Sequence, residues 1–207
     1  MNAQVMLCRP AAILFDMDGT LTIPRLDFPR IKAEMGIGDQ PILESLVLMP
    51  PVRRVAAELI LHRHEDEAAA HGELAPGCRE LLAWIGGQGI GVALVTRNRR
   101  QSVETFLHRH PLPIEVLITR EDGPHKPDPA SLLLACRRLC VSSASAWMVG
   151  DGSFDIEAAI AAGMPSIWVS LGRERGFSAE PTRTIESLAE LQALLMSGMS
   201  GGLGDGN

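Results

Sequence analysis

The chain has 207 residues, of which 46% are hydrophobic and 21% are charged. This composition excludes an intrinsically disordered chain and predicts one domain with an insertion, or two small domains. The formal net charge of -6 at pH 7 argues against a nucleic-acid partner, because proteins that bind phosphate backbones carry a basic face.

The N-terminal segment, "MNAQVMLCRPAAILF", lacks the positively charged start of a signal peptide. No stretch of the sequence approaches the roughly 18 apolar residues that a membrane span needs. We therefore expect a soluble, cytoplasmic protein without a membrane partner.

The first predicted strand ends on two acids. Residues 12–15, "AILF", are apolar on both faces and predict a fully buried strand, whose carboxyl end faces the ligand crevice of a parallel sheet. A turn explains Asp18 and Gly19, since Asp-Gly is a common turn pair, but it leaves Asp16 beside a like charge. Two close carboxylates need a cation or a shared proton, which favours a functional site here.

Residues 23–74 interrupt the pattern of the rest of the chain. They contain three predicted helices, at 28–36, 41–47 and 52–72, and no predicted strand. We expect this helical insertion to act as a lid over the end of the first strand. Arg25 and Arg30 are the basic residues in it that we expect to face the site.

From Ala75 onward, helical segments alternate with short apolar segments, which is typical of βαβ units and a parallel sheet. The predicted strands are residues 91–96, 114–119, 146–150 and 166–170, and the predicted helices are 78–87, 99–110, 129–140, 154–163 and 186–196. We divide the chain into a catalytic core of residues 1–22 and 75–196, the helical insertion of residues 23–74, and a flexible glycine-rich tail of residues 197–207.

Polar residues also follow the later strands. Thr96 and Arg97 follow the second strand, Lys126 lies in a loop before a helix, and Asp151 and Asp155 follow the fourth strand. In a doubly wound sheet such strand ends converge on one crevice. Carboxylates suit Mg²⁺, whereas a hydroxyl and a lysine suit phosphate oxygens.

The segments "DMDGT", "LVTRN", "HKPDP" and "GDGSFD", in this order, resemble the four motifs of the haloacid dehalogenase-like (HAD) superfamily of phosphatases. The resemblance extends from about Ala12 to the last helix. It implies an α/β fold, in which a Rossmann-like parallel sheet carries helices on both faces and a small all-helical cap is inserted after the first strand.

The resemblance also implies roles for individual residues. Asp16 is expected to be the nucleophile that forms an aspartyl-phosphate, and Asp18 to act first as general acid and then as general base. Mg²⁺ is expected on Asp16, the backbone carbonyl of Asp18, and Asp151. Thr96 and Lys126 are expected to bind the phosphate oxygens that do not react.

Two further residues have competing interpretations. Asp155 matches the last acid of the fourth motif and would orient the metal site or Lys126, but an exposed acid early in a helix is an equally good explanation. Arg97 would contact the substrate, or it is a solvated charge in a basic loop.

We therefore expect a Mg²⁺-dependent phosphatase that hydrolyses a small phosphorylated metabolite and works as a monomer or homodimer. A phosphoglucomutase-like phosphotransferase, which passes the phosphate to a second sugar hydroxyl, is the main alternative. An inactive phosphate-binding scaffold is a further alternative, although two acids beside a phosphate site weaken anion binding unless a metal is present. The insertion selects no substrate by its charge, but Arg25 and Arg30 would suit a carboxylated or doubly phosphorylated ester such as phosphoglycolate.

Overall fold

The computed structural model describes residues 7–200, with side chains described as far as residue 197. Six parallel strands form one sheet in the order β3-β2-β1-β4-β5-β6. The strands are β1 (Ala12–Phe15), β2 (Gly91–Val95), β3 (Val116–Ile118), β4 (Ala146–Gly150), β5 (Ser166–Val169) and β6 (Arg183–Ile185). The sequence did not predict β6, because three residues with one buried side chain form no apolar run.

Helices cover both faces of the sheet, which confirms the predicted α/β fold with a Rossmann-like parallel sheet. The helices of the described chain are α1 (Phe28–Met35), α2 (Ile42–Leu48), α3 (Pro51–His71), α4 (Cys78–Gly87), α5 (Arg100–Arg109), α6 (Ala130–Arg138), α7 (Ser153–Ala161) and α8 (Leu188–Ser200). Successive strand residues point to opposite faces, so α4, α5 and α8 bury one set of strand side chains and α6 and α7 bury the other.

The central strand β1 lies between β2 and β4, and all four of its residues are buried. The chain first adds β2 and β3 on one side of β1, and then adds β4, β5 and β6 on the other. The strand order therefore reverses between β1 and β4. A ligand crevice is expected at the carboxyl ends of the strands at such a switch point.

The helical insertion contains α1, α2 and α3, whose ends lie within about one residue of their predicted positions. Asp27 caps α1 by accepting a hydrogen bond from the backbone N–H of Arg30 at 3.0 Å. The three helices share a cluster of buried apolar side chains that is separate from the two clusters of the sheet: Ile31, Met35, Ile42, Leu46, Ala57 and Leu61. The insertion thus has an apolar core of its own.

The last helix, α8, is longer than its sequence predicts, because it continues through the first residues of the expected tail as far as Ser200. Residues 201–207 of that tail, like residues 1–6, lie outside the described part of the chain. Between residues 7 and 200, no helix is both long enough and apolar enough to cross a membrane.

Candidate active site

One cavity of about 630 Å³ lies between the carboxyl ends of the strands and the helical insertion. All seven candidate residues of the sequence line it: Asp16, Asp18, Thr96, Arg97, Lys126, Asp151 and Asp155. They come from four segments that are far apart in the chain: three loops, and the loop that leads into the first turn of α7. The reversal of strand order between β1 and β4 is what brings these loops together.

Lys126 is the centre of the charged side of this cavity, and only 2% of its side chain is exposed. Its ammonium donates hydrogen bonds to Asp16 Oδ1 at 2.6 Å, Asp155 Oδ1 at 2.5 Å and the Val95 carbonyl at 2.7 Å. Burial by itself lowers the pKa of Lys126, but the two adjacent carboxylates raise that pKa above its ordinary value. Lys126 therefore stays protonated and is held in hydrogen-bond contact with Asp16.

Asp16, Asp151 and Asp155 offer carboxylate oxygens that lie within 4.8 Å of one another. Asp155 uses both of its oxygens, because one accepts from Lys126 and the other accepts from the Gly152 N–H at 3.1 Å. Asp16 and Asp151 each keep one oxygen without a hydrogen-bond partner among residues 7–197. These two hard oxygen donors fit a cation such as Mg²⁺.

The free energy cost of burying these acids is visible in their pKa values. Burial raises the pKa of Asp16 well above its ordinary value, with Lys126 opposing this rise and the neighbouring acids adding to it. Burial and the adjacent Asp155 also raise the pKa of Asp151, although Arg173 opposes the shift through a hydrogen bond at 2.9 Å. A bound cation would relieve this concentration of negative charge.

Asp155 lies in the first turn of α7 with only 4% of the residue exposed. The interpretation of Asp155 as an exposed helix-start acid is therefore wrong. Its close approach to the strand end requires glycine at position 150, because a Cβ there would lie 2.3 Å from Asp155 Cγ. Asp155 and Asp16 thus hold the Lys126 ammonium between two carboxylates.

Asp18 points into the same cavity, where Asn98 Nδ2 donates a hydrogen bond to its Oδ2 at 2.5 Å. Burial raises the pKa of Asp18 to about 6, with the Asn98 hydrogen bond acting in the opposite direction. The turn after Asp18 needs glycine, since Gly19 has a φ of +76° and a Cβ there would lie 2.3 Å from Asp151 Oδ2. Sequence reasoning gave Asn98 no role, although it lies only two residues after Thr96.

Thr96 is buried at the end of β2, and its backbone N–H donates to the Ile118 carbonyl at 3.0 Å. Its hydroxyl oxygen accepts a hydrogen bond from the Asn98 N–H at 3.1 Å. No acceptor within residues 7–197 takes the hydroxyl proton, so this O–H can donate to an anion in the cavity.

Arg97 is not a solvated loop charge. Its guanidinium binds both carboxylate oxygens of Glu44 on α2, at 2.8 and 2.9 Å, and donates to the Lys126 carbonyl. The same group lies over the ring of Phe154, 4.2 Å from the ring centre. Arg97 thus connects the helical insertion to the loop that carries Lys126.

A second arginine makes a similar connection. Arg120 donates to both oxygens of Glu65 on α3, at 2.6 and 3.0 Å, and Glu65 is only 3% exposed. Burial raises the pKa of Glu65 to about 7 even though Arg120 opposes the shift. Sequence reasoning missed this pair and the Glu44 contact, because acids are common on exposed helix faces and nothing local marks these two.

Arg25 and Arg30, the two arginines expected to face the site, lie in different places. Arg25 lines the cavity at its exposed rim. Arg30 instead lies on the surface, where it pairs with Glu34 one turn further along α1 at 3.0 Å. The expectation for Arg30 was therefore wrong, because the cap at Asp27 starts α1 with residue 30 on its outer face.

Comparisons with known proteins point to one family. The model of the haloacid dehalogenase-like hydrolase family matches residues 30–169, a range that begins after Asp16 and Asp18 but includes Thr96, Lys126 and Asp151. A haloacid dehalogenase-like hydrolase domain-containing protein of Arabidopsis thaliana is 31% identical over 160 residues, which cover 71% of this chain and 65% of that protein. The present chain thus spans about two thirds of that relative.

Two further proteins are similar over more of their own length. A plasmid phosphoglycolate phosphatase of Cupriavidus necator is 32% identical over 187 residues, which cover 78% of this chain and 81% of that protein. The crystal structure of a CbbY mutant from Rhodobacter sphaeroides, in complex with xylulose-(1,5)bisphosphate, has a TM-score of 0.68 at 26% identity. That match covers 90% of this chain and 99% of the CbbY chain.

Proposed function

This chain belongs to the haloacid dehalogenase-like hydrolases, and from that membership we propose that it is a Mg²⁺-dependent phosphatase that acts on a small phosphorylated metabolite. The observation that carries the proposal is the buried contact between Lys126 and Asp16, beside the acid that follows β4. The similarity to the Cupriavidus necator phosphoglycolate phosphatase supports the same activity.

In the first step, one carboxylate oxygen of Asp16 attacks phosphorus while the other stays available to a cation, and the bond from phosphorus to the ester oxygen breaks. Asp18 donates its proton to the departing alcohol oxygen, which its pKa of about 6 allows near neutral pH. Lys126 keeps Asp16 oriented, and the free O–H of Thr96 donates to a phosphate oxygen that does not react. The product of this step is an aspartyl-phosphate on Asp16.

In the second step, the ionised Asp18 removes a proton from a water molecule, whose oxygen attacks phosphorus. The bond from phosphorus to Asp16 breaks, inorganic phosphate leaves, and both acids return to their starting states. The hydrogen bond from Asn98 keeps Asp18 in one orientation through both transfers.

Asp16, Asp151 and the backbone carbonyl of Asp18 would hold the metal ion. This assignment is supported by two carboxylate oxygens, one of Asp16 and one of Asp151, that have no hydrogen-bond partner among residues 7–197 and fit a hard cation. When bound, Mg²⁺ offsets the charge of the acids and of the phosphate group.

The helical insertion, residues 23–74, would act as the cap of this site. The contacts of Glu44 with Arg97 and of Glu65 with Arg120 support this role, because they hold the insertion against loops of the core. A closed insertion excludes bulk water from the phosphate during transfer.

The test is phosphate release from p-nitrophenyl phosphate and from phosphoglycolate, with Mg²⁺ and after exhaustive chelation. We expect activity with Mg²⁺, its loss on chelation, and its restoration by Mn²⁺ or Co²⁺. Ca²⁺ should inhibit, because its larger and looser coordination shell disturbs in-line attack. Mass spectrometry after a rapid quench should find one phosphate on the peptide that contains Asp16. Full activity after chelation would contradict the metal requirement.

The same assay, repeated with a sugar phosphate added as acceptor, separates the alternatives. A phosphoglucomutase-like enzyme would transfer the phosphate to an added sugar phosphate faster than to water. An inactive scaffold would release no phosphate with or without metal. Neither alternative has a contact in the described chain that favours it over hydrolysis.

A further inference from the structure

The cavity that contains the candidate site has two chemically different walls. The wall formed by the loops of the sheet is polar and charged, and includes every residue of the proposed mechanism. The opposite wall belongs to the helical insertion, and five of the eleven insertion residues that line it have large apolar side chains: Leu26, Phe28, Ile42, Leu43 and Leu61. We call these five residues the apolar wall.

Four polar residues of the insertion also reach the cavity: Arg25, Lys32, Asp39 and Glu65. Glu65 accepts from Arg120 with both oxygens, and the Lys32 ammonium donates one of its three hydrogens to the Asp39 carbonyl at 3.0 Å. The side chains of Arg25 and Asp39 are exposed at the rim. The inner surface of the apolar wall therefore offers few hydrogen-bond partners to a bound molecule.

This arrangement limits which alcohol the substrate ester can contain. A phosphate held against Lys126 and Thr96 directs the rest of the ester toward the insertion. The hydroxyl groups of a sugar or a small polyol would lose water there without gaining partners, which is unfavourable. An apolar group would instead bury its surface against the apolar wall, which is favourable.

The volume of the cavity also favours a larger alcohol group. A cavity of about 630 Å³ lies within the roughly 300–1,000 Å³ of sites that enclose small organic ligands. A two-carbon group such as glycolate would leave most of this space unfilled. A ring or a branched chain would fill it and contact Leu43 and Phe28.

We propose that the substrate is a phosphate monoester whose alcohol carries an apolar body, an aromatic ring or a branched hydrocarbon, that packs against the apolar wall. This inference rests on the proposed phosphatase function and narrows its substrate class. It differs from the substrate that the name of the Cupriavidus necator relative indicates.

The experiment compares two esters with similar leaving groups, ethyl phosphate and 2-phenylethyl phosphate, together with phosphoglycolate. Both alcohols are unactivated, so a difference in kcat/KM reports contacts of the phenyl ring rather than chemical reactivity. We expect kcat/KM for 2-phenylethyl phosphate to exceed that for either other ester by about tenfold or more.

Two leucines of α2 provide a matched pair of variants. Leu43→Asn places an amide in the apolar wall and should lower the preference for 2-phenylethyl over ethyl phosphate by about tenfold. Leu48→Asn changes a residue of the same helix that is 86% exposed and outside the cavity, and should leave that preference unchanged. Phe28→Ser is a second test at a residue outside the insertion's buried cluster, in case Leu43→Asn unfolds the insertion.

The outcomes distinguish the two proposals. Failure to hydrolyse any ester, including p-nitrophenyl phosphate, would contradict the phosphatase function itself. Hydrolysis of all three esters with equal kcat/KM, or with phosphoglycolate preferred, would leave the phosphatase function in place and overturn the apolar substrate class. An unchanged preference in both Leu43→Asn and Phe28→Ser would also overturn it.

Discussion

The two walls of the cavity are held in different ways. On the charged wall, a buried network around Lys126 connects the ends of β1 and β2 with the first turn of α7 through hydrogen bonds of 2.5 to 2.7 Å. The insertion contacts that wall through one partly exposed pair, Glu44 with Arg97, and one buried pair, Glu65 with Arg120. Buried networks are rigid, whereas exposed ion pairs contribute little free energy. We therefore expect the charged wall to be rigid and α2, which carries Glu44, to be the more adjustable part of the insertion.

The largest expected effects lie on the charged wall. Asp16→Asn removes the nucleophile and should lower kcat by about 10⁴-fold or more. Asp18→Asn keeps Asp16 and removes only proton transfer, which is typically worth about 10²–10⁴-fold. With p-nitrophenyl phosphate, whose leaving group needs little protonation, Asp18→Asn should accumulate phosphate on Asp16.

Rapid-quench mass spectrometry of the Asp16 peptide checks this pair of variants. Activity like that of the wild type in Asp18→Asn, or phosphate on any other residue, would contradict the assigned roles.

The buried acid of the insertion should make stability depend on pH. The pKa of Glu65 is raised from 4.5 to about 7, so the folded protein holds a proton that the unfolded chain releases. Its favourable contribution is complete below pH 4.5 and is lost as the pH rises through about 7. Relative to Glu65→Gln, the free energy of unfolding of the wild type should fall by up to about 3 kcal/mol between pH 5 and pH 8.

Urea unfolding at several pH values measures this difference. Glu67→Gln is the control, because it removes an exposed acid from the same helix without contacting Arg120. Arg120, Arg99 and Asp18 are the charged groups that act on Glu65. If the difference in the free energy of unfolding between the wild type and Glu65→Gln stayed constant across this pH range, burial would not raise the pKa of Glu65.

The positioning of Lys126 can be tested with less drastic variants. Asp155→Asn keeps an acceptor for Lys126 but loses the acceptor for the Gly152 N–H, and should lower stability by about 1–3 kcal/mol. It should also lower kcat by about tenfold or more, because a neutral amide holds the Lys126 ammonium less firmly than a carboxylate and Lys126 then orients Asp16 less precisely.

Asp128→Asn is the matched control at the start of α6. Its side chain accepts from the Ala130 N–H at 2.8 Å but makes no contact with Lys126 in the described chain. This variant should cost less than about 1 kcal/mol and leave kcat unchanged. Equal losses in Asp155→Asn and Asp128→Asn would indicate that Asp155 only starts its helix.

The smallest effect should come from the partly exposed pair at the rim. Glu44→Gln weakens the link to Arg97 by about 0.2–1 kcal/mol. We expect KM to rise about two- to fivefold with kcat unchanged, and hydrogen exchange of the α2 amides to become faster. Glu58→Gln, which breaks the surface pair with Arg54 on α3, should change neither quantity.

The sequence by itself determined five of the six strands and the edge of the sheet at which the candidate site lies. A buried apolar run predicts β1, and the alternation after Ala75 predicts the parallel strands, because burial imposes a period that is readable locally. Polar residues at the ends of parallel strands must then lie on the same edge of the sheet, which identifies Asp16, Asp18 and Asp151 together.

Only the tertiary structure decided which acids of the insertion pair with which arginines of the core. Glu44 and Arg97 are 53 residues apart and Glu65 and Arg120 are 55 apart, and no local period relates one to the other. A charge on a helix looks the same in sequence whether it faces water or a partner. Only the packing of α3 against the core buries Glu65 and leaves its neighbour Asp66 exposed. The same packing places the apolar wall of the insertion against the site.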